Sequence, residues 1–553
     1  MIHVNNISRT TAQKFAIFII FVAYLSIGFF PSAPIEGDGN GIANGAALMA
    51  VDGFGANDLS YRYEVQTGSY VLIVWLHNLT GLNTLSAFSL LSAISALVFI
   101  FFSSALVSRL TNVSFFTTGI LLLLFQEAVT GGYYSNTTVI AAAFLMMALN
   151  CAAITKRTYT TIISGILLGI SAWIRFDTIL VVPVLALLLH RSSWTDTLRR
   201  FALILVIAVI VSTSAIYSSD SSYTAIIESF RGHIEEQYSG TQDLGVPFLG
   251  IADFKSHLSI FSMFSLSMFI VGLVQLILAR KWYVLSIVLL GVIPFYTVYL
   301  GKITTPKYLY YFLPFFSIVM VSTIASIQRA SRLKQQFYVV FFSLLFLVQY
   351  VLGLQATFTT KPYIPTPFPT FTKLLTLHNP VKPLKDLSLV IGAGTYITTD
   401  DGNRLSSGIL YAPLTWNNAK RNLVANLGNL THYTTELSTQ PLYILVDTWH
   451  GEQMMLNFLL NDGYDCTRWK DPQGQRFTCK NNSRVVNLVV MPEITDRSID
   501  QISAHINTLG VSRLLYIVPV SWEQHLLEQY LSSTQSWIAK KVGDFSYDLQ
   551  SQP

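Results

Sequence analysis

Asp38 stands in the run Glu36-Gly37-Asp38-Gly39, a few residues beyond an apolar stretch at about 15–31. A carboxylate at a membrane boundary can accept the proton of an acceptor hydroxyl, a general-base task that one well-placed acid can perform. Glycines on either side let the backbone turn closely around a substrate. The same residue types fit a helix cap or a solvated loop acid. Further along the segment, Tyr61 to Tyr70 reads YRYEVQTGSY. Arg62 is suited to grip a phosphate through two parallel hydrogen bonds, and pairing with Glu64 or with lipid headgroups fits it equally. Glu36, Gln66 and Tyr70 are further candidates for contacts to an acceptor or to the primary groups. The following VLIVWLHNLTG is too short to cross a bilayer, so it is expected to lie in the interface, with Trp75 and Tyr70 at headgroup depth.

Two more clusters carry charge where charge is costly. Arg175 and Asp177 interrupt the apolar run 161–190, and a charged residue at the centre of a spanning helix costs about 2.5–3.5 kcal/mol on insertion scales. Either the two pair with each other, or Arg175 reaches a phosphate while Asp177 orients it. In GKITTPKYLYYFLPFF, the cations Lys302 and Lys307 sit beside Tyr308, Tyr310 and Tyr311, a combination that can hold an anionic lipid headgroup. An aromatic belt accounts for the tyrosines equally well. It accounts for the lysines less well, because positive residues are otherwise rare on that side.

The elements that would position these groups are mostly transmembrane. Hydrophobic residues make up 52% of the chain and charged residues 12%, against the roughly 25% charged of soluble domains. Runs of the roughly 17 to 25 residues needed to cross can be drawn at about 15–31, 82–107, 113–130, 137–154, 201–217, 258–279, 282–300, 306–327 and 336–354. The run 161–190 is read as two short helices meeting at a polar turn, since it holds Arg175, Asp177 and Pro183. That gives about eleven crossings. Lys and Arg fall in alternate connections, at 9–14, 109, 156–157, 191–200, 280–281 and 329–334. The N-terminus is thereby assigned to the cytoplasm and loop 32–81 to the other side. The first run is expected to be kept as a span, because Pro34 would directly follow a cut after Ser32-Ala33. The net charge of +5 is spread in short clusters between apolar runs, which speaks for membrane orientation and against a nucleic-acid partner.

After Leu354 the Thr/Pro-rich ATFTTKPYIPTPFPTFTK leads into a stretch with no spanning run. The expected organisation is a membrane body over 1–355, a linker over 356–380 and an α/β domain over 381–553. An odd number of crossings puts that domain outside the cytoplasm. Strand-like runs at 387–391, 442–447, 485–491 and 513–519 alternate with helix-like runs at 451–461, 497–508 and 522–533. Cys466 and Cys479 flank the turn-rich DPQGQ between hairpin-like neighbours. A disulfide suits an oxidising compartment, and two reduced core thiols are the alternative. Cys151 reads as packing within a span. No Cys or His spacing suits a metal, and no GxxxxGK[ST] phosphate loop is present, which speaks against ATP-driven transport.

In order, GDGNGIANGAALMA, YRYEVQTGSY, VLIVWLHNLTG, SGILLGISAWIRFD and PKYLYYFLPFF resemble the motifs of the GT-C superfamily of membrane glycosyltransferases. The likeness is to the bacterial branch related to protein mannosyltransferases and lipid A aminoarabinose transferases, and it covers roughly residues 15–355. The chain departs from the family pattern at three points. The family's paired Asp-Glu is Asp38-Gly39, the acid of its second outer loop is Asn136, and the proline after its arginine is Phe176. Glu127, also in the second outer loop, is a candidate for the missing acid and equally an interfacial glutamate.

The resemblance implies a polyprenyl-phosphate sugar as donor and no cofactor, with a divalent metal left open. It also implies displacement at the anomeric carbon with inversion, and a glycan, lipid or protein acceptor met among membrane lipids. In that reading Asp38 is the base, and Arg62, Arg175, Lys302, Lys307 and Tyr308 face the departing phosphate. Glu36, Gln66, Tyr70, Glu127, Asp177 and Tyr310 support them. A structural or assembly protein merely anchored by its spans is one rival, for which about eleven crossings with buried charges are too many. Two others are a polysaccharide polymerase or ligase, and a lipid-linked glycan flippase or transporter. Against these two stands the gathering of the acid and the Arg/Tyr cluster on one face of the membrane, and a transporter should also show related halves.

Overall fold

The computed structural model describes, in the main, residues 37–52, 63–123, 136–154, 158–190, 193–218, 263–299 and 310–359, and toward the C-terminus 396–398, 404–406, 442–446, 463–471, 474–481, 484–490, 510–517, 537–543 and 546–551. The N-terminal part is helical: α1 Gly37–Asp52, α2 Tyr63–Thr80, α3 Thr84–Thr111, α4 Phe115–Leu123, α5 Thr137–Ile154, α6 Thr158–Ile174, a 3-10 turn Phe176–Val181, α7 Val182–Leu189, α8 Trp194–Ser218, α9 Met263–Leu278, α10 Trp282–Tyr299, α11 Leu313–Arg329 and α12 Arg332–Thr359. Among the described residues, three helices are long and apolar enough to cross a membrane: α3, α5 and α8. At about 1.5 Å per residue, the 28 residues of α3 outreach the roughly 30 Å hydrocarbon core. Most of the first expected span, 15–31, lies outside the described residues.

Burial sorts these helices. Most of α5 is inaccessible, from Thr137 to Ala152, whereas α8 exposes Val206, Val209 and Ile210. An apolar exposed stripe of that kind suits contact with lipid chains. The glycine-rich helix α6 packs closely on α8. A Cβ at Gly165 would stand 2.8 Å from the Ile207 Cβ, and one at Gly169 would stand 2.8 Å from the Ala208 carbonyl oxygen. Small residues four apart let two helix backbones approach this way in membranes. Buried polar side chains add ties. Ser164 donates to the Ala148 carbonyl at 2.9 Å and Ser171 to the Ala141 carbonyl at 2.8 Å, fixing α6 to α5. Near the far end of α5, Asn150 accepts from Arg109 at 2.9 Å and donates to the Phe102 carbonyl at 2.7 Å.

The run 161–190 is broken where the charges fall. Arg175 is extended (φ −149°, ψ 114°), its N–H closes α6 on the Ser171 carbonyl, and the 3-10 turn follows. Pro183 then sits in the first turn of α7, where its missing N–H costs no hydrogen bond.

Toward the C-terminus, a two-stranded antiparallel pair (β1 Tyr396–Thr398, β2 Arg404–Ser406) precedes a seven-stranded sheet. Its strands are β3 Leu442–Val446, β4 Asp465–Asp471, β5 Gly474–Asn481, β6 Arg484–Val490, β7 Arg513–Ile517, β8 Trp537–Gly543 and β9 Ser546–Ser551, in the order β4-β5-β6-β3-β7-β9-β8. Central β3 runs parallel to β6 and β7, and the remaining pairs are antiparallel. Ile444, Leu456, Leu459, Phe477, Leu488 and Leu515 share its core. Cys466 and Cys479 face each other in the β4–β5 register and are disulfide-bonded. The expected strand at 387–391 and helices at 497–508 and 522–533 lie outside the described residues.

Candidate active site

The segment that opened the sequence reading folds into two docked helices. Ile42, Ala43, Ala46 and Met49 bury one side of α1, and Thr84 at the start of α3 donates to the Ala43 carbonyl at 3.0 Å. Asp38 is the second residue of α1, a first-turn position at which a carboxylate complements the helix dipole. Its side chain is outside the described residues, as is that of Gln66 in α2. Glu36, Arg62, Glu127, Lys302, Lys307 and Tyr308 are outside the described residues altogether.

Helix α2 begins at Tyr63, eight residues before the apolar run that suggested it. Tyr70 and Trp75 do not share an environment: Tyr70 is fully buried with Ile73 and Leu76, while Trp75 is 61% exposed. Five residues along a helix is about 140° of rotation, so one side chain enters the protein core when the other leaves it. Gly68 brings α2 against the end of α6, since a Cβ there would lie 2.9 Å from the Ile174 nitrogen and from the Trp173 ring. Helix α2 therefore touches the residue that precedes Arg175.

Arg175 and Asp177 form a buried pair. The Nη2 of Arg175 donates to Oδ2 of Asp177 at 2.8 Å and Nε donates to the same oxygen at 3.1 Å. Nη1 donates to Thr137 Oγ1 at 3.3 Å, in the first turn of α5. The other carboxylate oxygen, Oδ1, accepts from the Tyr311 hydroxyl at 2.9 Å. Tyr311 is wholly buried and stacks on Phe295 of α10, with ring centres 4.5 Å apart and planes 12° from parallel. Tyr310 is equally buried and meets Phe99 of α3 edge-on at 5.1 Å. These two tyrosines are core residues; an interfacial belt does not describe them.

Asn136, which stands where the family pattern has an acid, lies next to this cluster. Its Oδ1 accepts from the Val139 N–H at 2.9 Å and so caps α5, while its own N–H donates to Ser92 at 3.3 Å. An acceptor at the N-cap satisfies one of the helix's orphan donors, and it sets the place of Thr137. Sequence reasoning singled out Arg175, Asp177 and Tyr310 and placed Tyr311 only among the phenols beside Lys302 and Lys307; it gave no role to Thr137 or Phe295. Only the apolar setting of Arg175 hinted that partners had to exist.

The cluster offers a fixed guanidinium at the meeting of α5, α6 and α11, suited to an anionic oxygen. Among the described residues, no three His, Cys, Asp or Glu side chains gather as they would around a metal ion.

No family model matches the sequence, and no curated protein matches it. Solved structures do match. The crystal structure of ArnT from Cupriavidus metallidurans bound to undecaprenyl phosphate aligns over 99% of this chain and 99% of its own, with a TM-score of 0.54 at 13% identity. The same protein in the apo state aligns over 100% of both chains, with a TM-score of 0.51 at 12% identity. An oligosaccharyltransferase from Archaeoglobus fulgidus aligns over 97% of this chain and 74% of its own, with a TM-score of 0.40 at 10% identity. With the ArnT structures the chain shares its fold over nearly the whole of both chains.

Proposed function

We propose that this protein is a membrane glycosyltransferase that moves a sugar from a polyprenyl-phosphate donor to an acceptor hydroxyl on the extracytoplasmic face. The observation that carries the reading is the Arg175–Asp177–Tyr311 cluster, buried in a fold shared with a protein solved with undecaprenyl phosphate bound. Asp38, in the first turn of α1, deprotonates the acceptor hydroxyl. That oxygen attacks the anomeric carbon, the bond from this carbon to the phosphate oxygen breaks, and the configuration inverts. The leaving phosphate gains negative charge along the way, so preorganised cations stabilise the transition state more than the ground state. Arg175 supplies one such cation, with Arg62, Lys302 and Lys307 as its partners and Tyr308 as a donor beside them.

The alternation of Lys and Arg assigns the N-terminus to the cytoplasm, and about eleven crossings then put the sheet domain outside it, where that domain covers the site or binds the acceptor. The membrane body extends over 1–355, the linker over 356–380 and the outer domain over 381–553. The donor's lipid chain lies between spans, and no nucleotide sugar is required on the outer side. A comparison of envelope glycans and lipid extracts from cells with and without the protein tests this reading. One glycan decoration should vanish and its polyprenyl-phosphate sugar should accumulate; unchanged glycan and lipid profiles would reject it.

A further inference from the structure

We propose that Tyr311 is a positioning residue for the carrier phosphate: it orients the guanidinium of Arg175 by fixing the carboxylate of Asp177. The inference rests on the assignment of Arg175 to that phosphate. Every joint of the chain is fixed in place. The Tyr311 ring is fully buried and lies flat against Phe295, so its hydroxyl has one place to point. Oδ1 of Asp177 takes that hydroxyl at 2.9 Å, and Oδ2 takes Nη2 and Nε of Arg175 at 2.8 and 3.1 Å. With Oδ1 held by the phenol and Oδ2 by the guanidinium, whose Nε also lies 3.4 Å from Oδ1, rotation of the carboxylate would break these bonds, and the plane of the guanidinium is set with it.

Within the pair, the Arg175 side chain is 12% exposed and that of Asp177 is 4% exposed. The cation is therefore the member turned toward the accessible side, and the acid and phenol stand behind it. A guanidinium bonded to a carboxylate along one edge is held as a planar fork, the geometry that recognises phosphate oxygens through parallel hydrogen bonds. Tyr311 contacts this chain's own groups and acts on the ligand only through them.

Binding of undecaprenyl phosphate to the purified full-length protein in nanodiscs tests the proposal. Four proteins are compared: wild type, Tyr311→Phe, the charge-neutral double variant Arg175→Gln/Asp177→Asn, and the triple variant. Tyr311→Phe keeps the stacked ring and removes only the hydroxyl, so the fold has no cavity to absorb. The expected result is an affinity weakened about tenfold by Tyr311→Phe, weakened further by the double variant, and no lower in the triple variant than in the double. Wild-type affinity in Tyr311→Phe, alongside a weakened double variant, overturns the positioning role and leaves the phosphate assignment standing. An equal fold-loss from Tyr311→Phe in both backgrounds also overturns it, since the residue would then act on the structure at large. Wild-type affinity in the double variant overturns the assignment of Arg175 to phosphate, and the positioning role with it.

Discussion

At the scale of single residues, the cluster rests on opposite charges held where little water reaches them, the Asp177 side chain being 4% exposed and that of Arg175 12%. Arg175 and Asp177 are each other's main compensation, and removing one member of a buried pair costs about 3–5 kcal/mol. Arg175→Ala should therefore lower thermal stability in detergent and reduce use of the polyprenyl-phosphate donor. Arg175→Gln/Asp177→Asn should regain most of the stability without regaining donor use. A double variant that transfers sugar as wild type does would reduce the pair to a structural role. The pairing was one of two readings open in the sequence, because two opposite charges two residues apart in an apolar run can compensate each other. Tyr311 was not legible as its partner. Tyr308, Tyr310 and Tyr311 crowd one short stretch, and which hydroxyl meets Asp177 depends on how a chain segment 134 residues away packs.

At the scale of elements, the site depends on close backbone approaches that hydropathy alone does not reveal. Gly68 lets α2 rest on the end of α6 beside Arg175, so Gly68→Ala must displace either the Trp173 ring or the backbone of Ile174. Overpacking of this kind costs about 1–3 kcal/mol. Gly169→Leu should separate α6 from α8 at a comparable cost. Thermal unfolding of both variants checks the cost. Transfer assays should show Gly68→Ala losing more activity than Gly169→Leu, because only the first pushes directly against the backbone next to Arg175. The long apolar helices α3, α5 and α8 were readable from composition. The start of α2 was hidden, because its first residues are polar and are helical through packing that buries Thr67, Ser69 and Tyr70. Strand β8 was missed for another reason. Among the described residues it is an edge strand, carrying Lys540 and Lys541 and pairing only with β9, and charged edges that discourage further pairing also blur the strand signal.

At the scale of the whole molecule, a helical body and a mixed sheet near the C-terminus share one fold with ArnT across nearly the full chain. The Cys466–Cys479 bond closes a 13-residue separation. Cys466→Ser/Cys479→Ser should therefore destabilise the sheet domain by about 3 kcal/mol, seen as earlier proteolysis of the sheet domain in outer-face digests of intact spheroplasts. Protection of that domain from outer-face protease at every concentration would contradict its extracytoplasmic placement. The central claim is that a polyprenyl-phosphate donor gives up its sugar to a hydroxyl activated by Asp38. Cells carrying Asp38→Asn in place of the wild-type residue, with the protein still present in the membrane at normal levels, test it most directly by glycan and lipid profiling. Loss of the same glycan decoration as in cells lacking the protein is expected, with the polyprenyl-phosphate sugar accumulating; a decoration kept near its wild-type amount would rule out Asp38 as the base.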